Sequence, residues 1–353
     1  MKSLSIVIPN WNGRDLLAEY FPSVVAAAEH RRAGSGSESE IIVVDDASTD
    51  ESLEWLRQNY GDDGSVKIVE LDQNVGFLSA VNHGFEAANN DLVFLLNNDV
   101  RVERDCIAPL VRHFEYEGVF AVCCRAGRIN SDRLDGGGKI GEFERGFWRV
   151  FLNYEAVPDE AAGELISFFG SGGYTAYDRT KWRELGGFQE ILAPNYWEDV
   201  EICYRAWKRG WKVVYEPDSH VDHLGSASMK RKDRGEMSII TERNRLLMTW
   251  INLHDANLFA SHMAWLALKL TGSAISFRWN YLRSFRQALS KVSKVKVARR
   301  IEMEAAMIKD SDLAHKFTEL VRQPGIYVVQ DEQAEIEFAE MRTNLVAAPK
   351  TER

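Results

Sequence analysis

The chain has 353 residues, of which 45% are hydrophobic and 27% are charged, and its formal net charge is −10. This composition is typical of a globular protein with one large domain, or with one domain and an appendage. The negative charge argues against a general nucleic-acid-binding protein, and we predict no nucleic-acid partner.

The chain shows no disulfide framework and no targeting pattern. Its cysteines have no paired spacing, so we expect four reduced, buried thiols and a cytosolic compartment: Cys106, Cys123, Cys124 and Cys203. Met1 and Lys2 lead directly into a strand-like segment, without the pattern of a signal peptide. No run of about 18 residues is free of charge, so the sequence predicts no clear membrane span.

Short apolar segments alternate with helical patterns over the first hundred residues. Strands are predicted at 4–8, 41–44, 66–71 and 92–96, with an amphipathic helix after each of the first three. Because β-strands that alternate with helices at short spacing pair in parallel, this order predicts an α/β fold with a doubly wound sheet.

Each of these strands ends in polar residues: Asn10-Trp11-Asn12, Asp45-Asp46, Asn74, and Asn97-Asn98-Asp99. Asn and Asp favour turns and helix caps, so any single cluster is explained by local structure. Four clusters at equivalent strand ends converge on one sheet edge, however, and this favours a crevice for a nucleotide and a metal. Neither a dinucleotide-binding glycine motif nor a P-loop follows the first strand.

The middle of the chain contains a glycine-rich segment, FFGSGGYTAY, at 168–177. Glycines there would let the backbone approach a ligand closely, or would form a β-bulge or hairpin turn. Further strands are predicted around 121–124 and 147–152.

An acidic pair, Glu198 and Asp199, begins a helix that is marked by apolar residues at helical spacing. Negative charge is favoured at a helix N-terminus, so simple capping explains the pair. The aromatic residues Tyr196 and Trp197 precede it, however, and could shield the carboxylates from water. A shielded carboxylate has a raised pKa and is a better general base.

A strand is predicted at 211–215, followed by a loop at 219–225 that contains His220, Asp222 and His223. These histidines are either structural or metal ligands. Lys230, Arg231, Lys232 and Arg234 follow, and they face either phosphate or solvent.

The C-terminal third is rich in helical patterns and its charge is segregated. Eight basic residues and no acidic residue lie between Arg278 and Arg300, interleaved with aromatic residues. The hypothesis is a peripheral anchor on an anionic membrane; the alternative is a helical cap whose basic residues face water. A short strand is expected at 326–329, before a polar tail.

The motifs SIVIPNWNG, EIIVVDDASTDES, NVGFLSAVNHGF and FLLNNDV occur in this order. Together they resemble the inverting GT-A glycosyltransferases of family 2, which include bacterial rhamnosyl- and galactofuranosyltransferases. The resemblance extends to about Gly225. It implies a catalytic domain at 1–240, with a Rossmann-like nucleotide-binding half and a mixed-sheet acceptor half, and a C-terminal helical region at 241–353.

The resemblance also implies single displacement on a nucleotide sugar. Asp99, with Asn97 and His223, would hold Mg²⁺ or Mn²⁺. Asp199 would be the catalytic base, with Glu198 supporting it, and Asp46 would contact the pyrimidine base. The other residues expected to bind the donor are Pro9, Asn10, Trp11, Asn74, Gly76, Phe77, Asn82, Asn97, Asn98, Gly172 and Gly173.

One departure from the motif concerns the metal. Asn97 replaces the first aspartate of the usual DxD, so either metal affinity is modest or His223 carries more of the coordination. The expected donor is a UDP- or dTDP-sugar, rhamnose- or galactofuranose-like, and the expected acceptor is a polysaccharide or lipid-linked glycan. The location would be the cytoplasm, or the inner face of the cell membrane.

Two alternatives stay open at this level. A non-catalytic binding protein with the same fold is favoured by Asn97. A sugar-nucleotide pyrophosphorylase shares the nucleotide-binding architecture, but PNWNG does not supply its glycine-rich, basic loop.

Overall fold

The computed structural model describes residues 2–131, 133–157, 163–225 and 234–329, except for the side chain of Arg234. The strands in these ranges are β1 Leu4–Asn10, β2 Ser39–Asp45, β3 Val66–Glu70, β4 Leu92–Leu96, β5 Val100–Val102, β6 Val119–Arg128, β7 Leu134–Gly136, β8 Gly138–Glu144, β9 Phe147–Ala156, β10 Tyr174–Asp178, β11 Lys212–His223 and β12 Ile326–Val329. The α-helices are α1 Arg14–Ser35, α2 Ser52–Tyr60, α3 Phe77–Ala87, α4 Ile107–Arg112, α5 Arg179–Glu184, α6 Glu198–Lys208, α7 Arg234–Asn252, α8 Ala256–Ile275, α9 Trp279–Leu289, α10 Val292–Ala305 and α11 Asp310–Leu320.

The main sheet is mixed, with strand order β3-β2-β1-β4-β10-β6-β11-β5. The first four strands along the chain pair in parallel, as predicted. Strand β10 then pairs antiparallel with β4 and β6. Because β1, β2 and β4 run parallel to one another, their carboxyl ends lie at the same edge of the sheet.

Alternation along the strands builds a core on each face of the sheet. In β1, Leu4, Ile6 and Ile8 pack towards α1, whereas Val7 packs towards α3. Helix α3 lies so close to β1 that a Cβ on Gly84 would come within 2.3 Å of Val7 Cγ1. Both faces are buried because helices cover both sides, which explains the continuous apolar runs in the sequence.

A second sheet is formed by β8, β9 and β12, all antiparallel. The C-terminal helices pack against this sheet and against α6, and their residues Leu246, Ile251 and Phe317 belong to the same core cluster as the main sheet. The expected boundary at residue 240 falls inside α7. None of the helices in the described ranges has the length and apolarity needed to cross a bilayer.

The structure corrects one expectation about secondary structure. The predicted loop at 219–225 is wrong for residues 219–223, because β11 continues to His223 after a register irregularity between Glu216 and His220. Pro217 lies in this irregularity, where a strand tolerates a residue without an N–H group. The segment from Arg278 to Arg300 is divided between α9 and α10.

Other expectations are confirmed or fall outside the described residues. All four cysteines are buried and unpaired, and the strand at 326–329 is present as β12. The basic residues Lys230, Arg231 and Lys232, and the tail after residue 329, lie outside the described ranges.

Candidate active site

A hydrogen-bond network joins the carboxyl ends of β1, β2 and β4. The amide nitrogen of Asn10 donates to Asp45 Oδ2 at 3.0 Å, and its Oδ1 accepts from Asn98 Nδ2 at 2.8 Å. Asp45 Oδ1 accepts from the backbone N–H of Ser48. Asn10 and Asp45 are buried, so this network satisfies polar groups inside the protein. It therefore sets the shape of the crevice floor, and the neighbouring Trp11, 46% exposed, lies at its rim.

The next cluster is organised by Asp46. Its two carboxylate oxygens accept from the backbone N–H groups of Val75 and Gly76, at 2.7 and 2.9 Å. Asn74 Nδ2 donates to the Asp46 carbonyl at 3.2 Å. Gly76 has φ +85° and directly precedes α3. The loop that carries Asn74 and Gly76, and with it Phe77 at the start of α3, is thus held against the end of β2, as convergence at the sheet edge predicts.

Asn82, which was expected to bind the donor, makes other contacts in the structure. Asn82 lies within α3, and its amide donates to the Phe188 carbonyl and to Glu190, while its oxygen accepts from the Phe188 N–H. These contacts attach the segment after α5 to α3, so they point to a structural role for Asn82 rather than to donor binding.

Asp99, His223 and Asp135 form a connected set. His223 Nε2 lies 3.1 Å from Asp99 Oδ1, and His223 Nδ1 lies 2.8 Å from Asp135 Oδ2. Antiparallel pairing of β11 with β5 places His223 opposite Val100, beside Asp99. Burial lowers the pKa of His223, but hydrogen bonds and charge from Asp135 and Asp99 outweigh it and raise the pKa to about 9.

This set fits a divalent cation with two protein ligands. The Asp135 carboxylate bonds to Nδ1 of His223 and so favours the tautomer with its proton on Nδ1. Nε2 can then bind a metal ion beside Asp99, which is the usual arrangement of a metal-bound histidine. No group of three or more His, Cys, Asp or Glu ligands is found in the part of the chain that the structure describes. Mg²⁺ commonly takes one or two protein ligands and completes its shell with substrate phosphate and water.

The glycine-rich segment connects this set to the acidic pair. The Asn97 N–H donates to the Gly173 carbonyl at 2.9 Å, and a Cβ on Gly173 would lie 2.6 Å from Asn97 Nδ2. One residue away, the Gly172 N–H donates to Asp199 Oδ2 at 3.1 Å. Asn97 and Asp199, far apart in sequence, are therefore bridged by two consecutive glycines.

The environment of Asp199 suits a proton acceptor. Its Oδ1 accepts from the Val200 N–H at 2.8 Å. Burial raises its pKa above the ordinary value, although backbone hydrogen bonds and the positive charge of Lys139 offset part of that shift. Lys139 is 7% exposed, and its own pKa is lowered by burial. Its Nζ donates to Asn153 Oδ1 at 2.6 Å.

The loop before the acidic pair adopts an unusual conformation. Tyr196 and Trp197 have φ of +74° and +71°, which is rare for aromatic residues. Asn244 of α7 holds this loop, because its Nδ2 lies 2.5, 3.0 and 2.8 Å from the carbonyl oxygens of Leu192, Asn195 and Tyr196. Asn244 is fully buried.

Aromatic residues lie beside the acidic pair. Trp197 is 3% exposed, whereas Phe151 of β9 is 64% exposed and lies 5.7 Å from the Trp197 ring. Trp197, which directly precedes the pair, is therefore buried, and Phe151 adds an open apolar surface beside its ring. Shielding of the carboxylates by the aromatic residues stays a prediction.

Sequence reasoning missed four of these residues. Asp135 precedes the glycine run at 136–138, which was the available signal for a special site there. Lys139, Phe151 and Asn244 had no comparable local pattern.

The chain is similar to known proteins in sequence and in fold. The model of the family described as "Glycosyl transferase family 2" matches residues 5–186. "Probable N-acetylgalactosaminyltransferase 9" of Caenorhabditis elegans is 24% identical over 229 residues, covering 60% of this chain and 39% of the relative. "Undecaprenyl-phosphate 4-deoxy-4-formamido-L-arabinose transferase" of Edwardsiella ictaluri is 36% identical over 133 residues, covering 37% of this chain and 38% of the relative.

Among solved structures, GalNAc-T7 with UDP, GalNAc and Mn²⁺ has a TM-score of 0.58 at 23% identity, covering 72% of this chain and 49% of that one. The chain spans about two fifths of the length of the curated relatives given above. The structural similarity confirms the GT-A fold. With a family model matching more than half of its residues, the chain belongs to glycosyl transferase family 2.

Proposed function

We propose that this chain is an inverting glycosyltransferase that uses Asp199 as its catalytic base. The donor is a UDP- or dTDP-sugar of rhamnose or galactofuranose type, and the acceptor is a hydroxyl of a lipid-linked or polysaccharide glycan in cell-surface synthesis. The observation that carries the proposal is the bridge of Gly172 and Gly173 between Asp199 and Asn97, because it brings a partly buried carboxylate to the metal and donor motif.

The donor occupies the crevice at the ends of β1, β2 and β4. Asp46, whose carboxylate also orders the adjoining loop, contacts the pyrimidine base, and the exposed ring of Trp11 shapes the rim of the pocket. The remaining donor contacts come from residues that line the same edge, namely Pro9, Asn10, Asn74, Gly76, Phe77, Asn97, Asn98, Gly172 and Gly173.

Asp99 and His223 would hold the cation, with Asn97 nearby. Mg²⁺ or Mn²⁺ bound there would supply positive charge against the negative charge that grows on the leaving diphosphate. Asp135 keeps His223 oriented towards Asp99. The Asn97 amide is a weaker ligand than a carboxylate, so Asp99 and His223 provide most of the protein's contribution.

Asp199 takes the proton of the acceptor hydroxyl as that oxygen attacks the anomeric carbon. The new bond forms on the face opposite the bond to the diphosphate, which breaks, so the configuration at that carbon is inverted. The raised pKa of Asp199 improves proton transfer, because a more basic carboxylate is a stronger proton acceptor. Glu198 adds negative charge in the same helical turn, and Phe151 offers the acceptor an apolar contact.

The test is Asp199→Asn, assayed for sugar transfer and for donor binding with Mn²⁺. We expect transfer to fall by about 10²- to 10⁴-fold, the usual contribution of a general base, with donor affinity unchanged. The matched control is Asp178→Asn, because Asp178 caps α5 and is 4% exposed but lies outside the site. It should lose stability and keep transfer.

Two results would contradict the assignment. Loss of donor binding in Asp199→Asn would give that residue a structural or donor-binding role, and undiminished transfer would exclude it as the base. Wild-type protein that neither transfers nor hydrolyses the donor with metal present would favour a non-catalytic binding protein. Exchange of pyrophosphate into the nucleotide sugar would favour a pyrophosphorylase.

A further inference from the structure

Helix α8 exposes an apolar face. Lys269 is its only Lys, Arg, Asp or Glu residue. Within the described ranges, the residues that face solvent along one side are Ala260, Met263, Ala264, Ala267, Leu268, Thr271 and Ile275; we call them the α8 face. Leu268 and Ile275 are 62% and 73% exposed. A contiguous apolar surface of this kind indicates an interaction site rather than ordinary surface composition.

The corner between α8 and α9 extends this surface with aromatic rings. Phe277 and Trp279 are 71% and 60% exposed, and their rings lie 6.0 Å apart. The corner is a defined turn: Phe277 has φ +54°, the Arg278 N–H donates to Ser273, and the Trp279 N–H donates to Phe277. A turn held in this way presents both rings outwards together.

The chain segment that carries this surface has charges of one sign. No Asp or Glu occurs from 256 to 301, although 53 of the 353 residues are acidic and an even distribution would place about seven there. Two of the basic residues between Arg278 and Arg300 are used internally, since Lys291 donates to the Ile191 carbonyl and Arg299 to those of Trp250 and Leu253. The others are exposed: Arg278, Arg283, Arg286, Lys294, Lys296 and Arg300.

We propose that the α8 face, the aromatic corner and these exposed basic residues dock the protein on an anionic membrane surface. An apolar helix face enters the boundary between headgroups and acyl chains, and aromatic rings favour that depth. Lys and Arg are attracted to anionic headgroups. In a symmetric contact between two copies, the same basic patch would face itself, so charge favours lipid over a second copy. The inference does not depend on the catalytic proposal.

The docking surface is connected to the acidic pair through packing. His262 of α8 accepts from Trp250 Nε1 and hydrogen-bonds through Nδ1 to the Gly146 carbonyl at the tip of the β8–β9 hairpin, at 2.8 Å. Strand β9 also carries Phe151, which lies beside Trp197. Docking of α8 on a membrane therefore brings the β8–β9 hairpin, and the acidic pair beside it, near the lipid surface. A lipid-linked acceptor would be presented there.

The test is flotation of the full chain with two kinds of vesicle, one of phosphatidylcholine alone and one of phosphatidylcholine mixed with phosphatidylglycerol. We expect binding to the anionic vesicles that weakens at high salt, and little binding to the neutral ones. Arg283→Gln should weaken binding about fivefold, the usual effect of one basic residue near the surface. Combined replacement of Leu268, Ile275 and Phe277 by serine should remove binding.

Matched controls come from exposed residues elsewhere. Tyr116 is 73% exposed in the segment before β6, and Arg104 is exposed before α4. Tyr116→Ser and Arg104→Gln should bind vesicles as the wild type does, and circular dichroism should show every variant folded.

Three results would overturn the proposal. The first is wild-type protein that does not float with anionic vesicles, and the second is a triple serine variant that is folded and binds as the wild type does. The third is a dimer in light scattering that Leu268→Glu dissociates while vesicles remain unbound, because a second copy would then cover the α8 face.

Discussion

The side chain of Asn244 is expected to control the position of Asp199, the proposed catalytic base, without contacting it. Its amide holds the carbonyls of the loop that turns through Tyr196 and Trp197 into the first turn of α6. Arg243 Nε donates to Asn244 Oδ1 at 2.9 Å and so fixes the amide with its nitrogen towards the loop. Asn244→Ala removes this support without touching donor or metal residues.

The expected loss of stability follows from the number of bonds. The amide nitrogen of Asn244 carries two hydrogens, which are shared among the three carbonyl oxygens, so the side chain makes the equivalent of two full hydrogen bonds. Losing these bonds and leaving buried carbonyls unpaired should lower the free energy of unfolding by roughly 2–4 kcal/mol. Asn244→Asp should lose more, because a carboxylate of the same shape would face carbonyl oxygens with no hydrogen to donate.

The catalytic effect should exceed the effect on substrate binding. A displacement of about 1 Å at a reacting group costs about a hundredfold in rate, so we expect kcat to fall by about that factor, with donor affinity unchanged. The assay measures kcat at saturating substrates and donor affinity by calorimetry, at a temperature where the variant is folded.

The matched control is Asn252→Ala. Asn252 is also an asparagine of α7 and is also fully buried, but its amide donates to Glu201 and to the Met248 carbonyl rather than to the loop. It should lose similar stability and keep kcat. The reasoning fails if Asn244→Ala retains wild-type kcat, or if both variants lose kcat equally.

Two further predictions concern pH. Lys139→Met should raise the pKa of Asp199 further, because the positive charge of Lys139 lowers it. The acidic limb of the kcat/KM profile should therefore move to higher pH. An unmoved limb would show that Lys139 does not influence the pKa of the base. In chelator-treated protein, the pKa of His223 is raised from 6.5 to about 9. Protonated His223 therefore adds roughly 3 kcal/mol to the free energy of unfolding. This contribution is fully present below pH 6.5 and is lost as pH rises through 9. Calorimetry across this pH range should show stability declining, and Asp135→Asn should make the decline shallower. Equal slopes in the wild type and the variant would contradict the assignment of the decline to His223.

Local patterns in the sequence determined the parallel first half of the fold. Apolar runs buried on both faces, such as 92–96, predict parallel strands, and polar clusters at their ends converge because parallel strands share an edge. The helix that begins at Glu198 was readable for the same reason, since its apolar spacing and its acidic first turn lie within a few residues of each other.

Contacts between distant parts of the chain were decided only by the tertiary structure. Asp135 reaches His223 across 88 positions, and β11 continues to His223 because β5 and β6 pair with it there. Lys139 comes from a strand of the second sheet, and no periodicity in its own segment relates it to Asp199.

The C-terminal region shows the same division. Composition indicated a segregated basic segment between Arg278 and Arg300, but the exposed apolar face belongs to α8, before it. A run of Leu, Ala, Met and Trp predicts a helix equally well whether its outer face is covered or open. Which face stays open depends on what packs against the helix, and that is a property of the folded chain rather than of any local pattern.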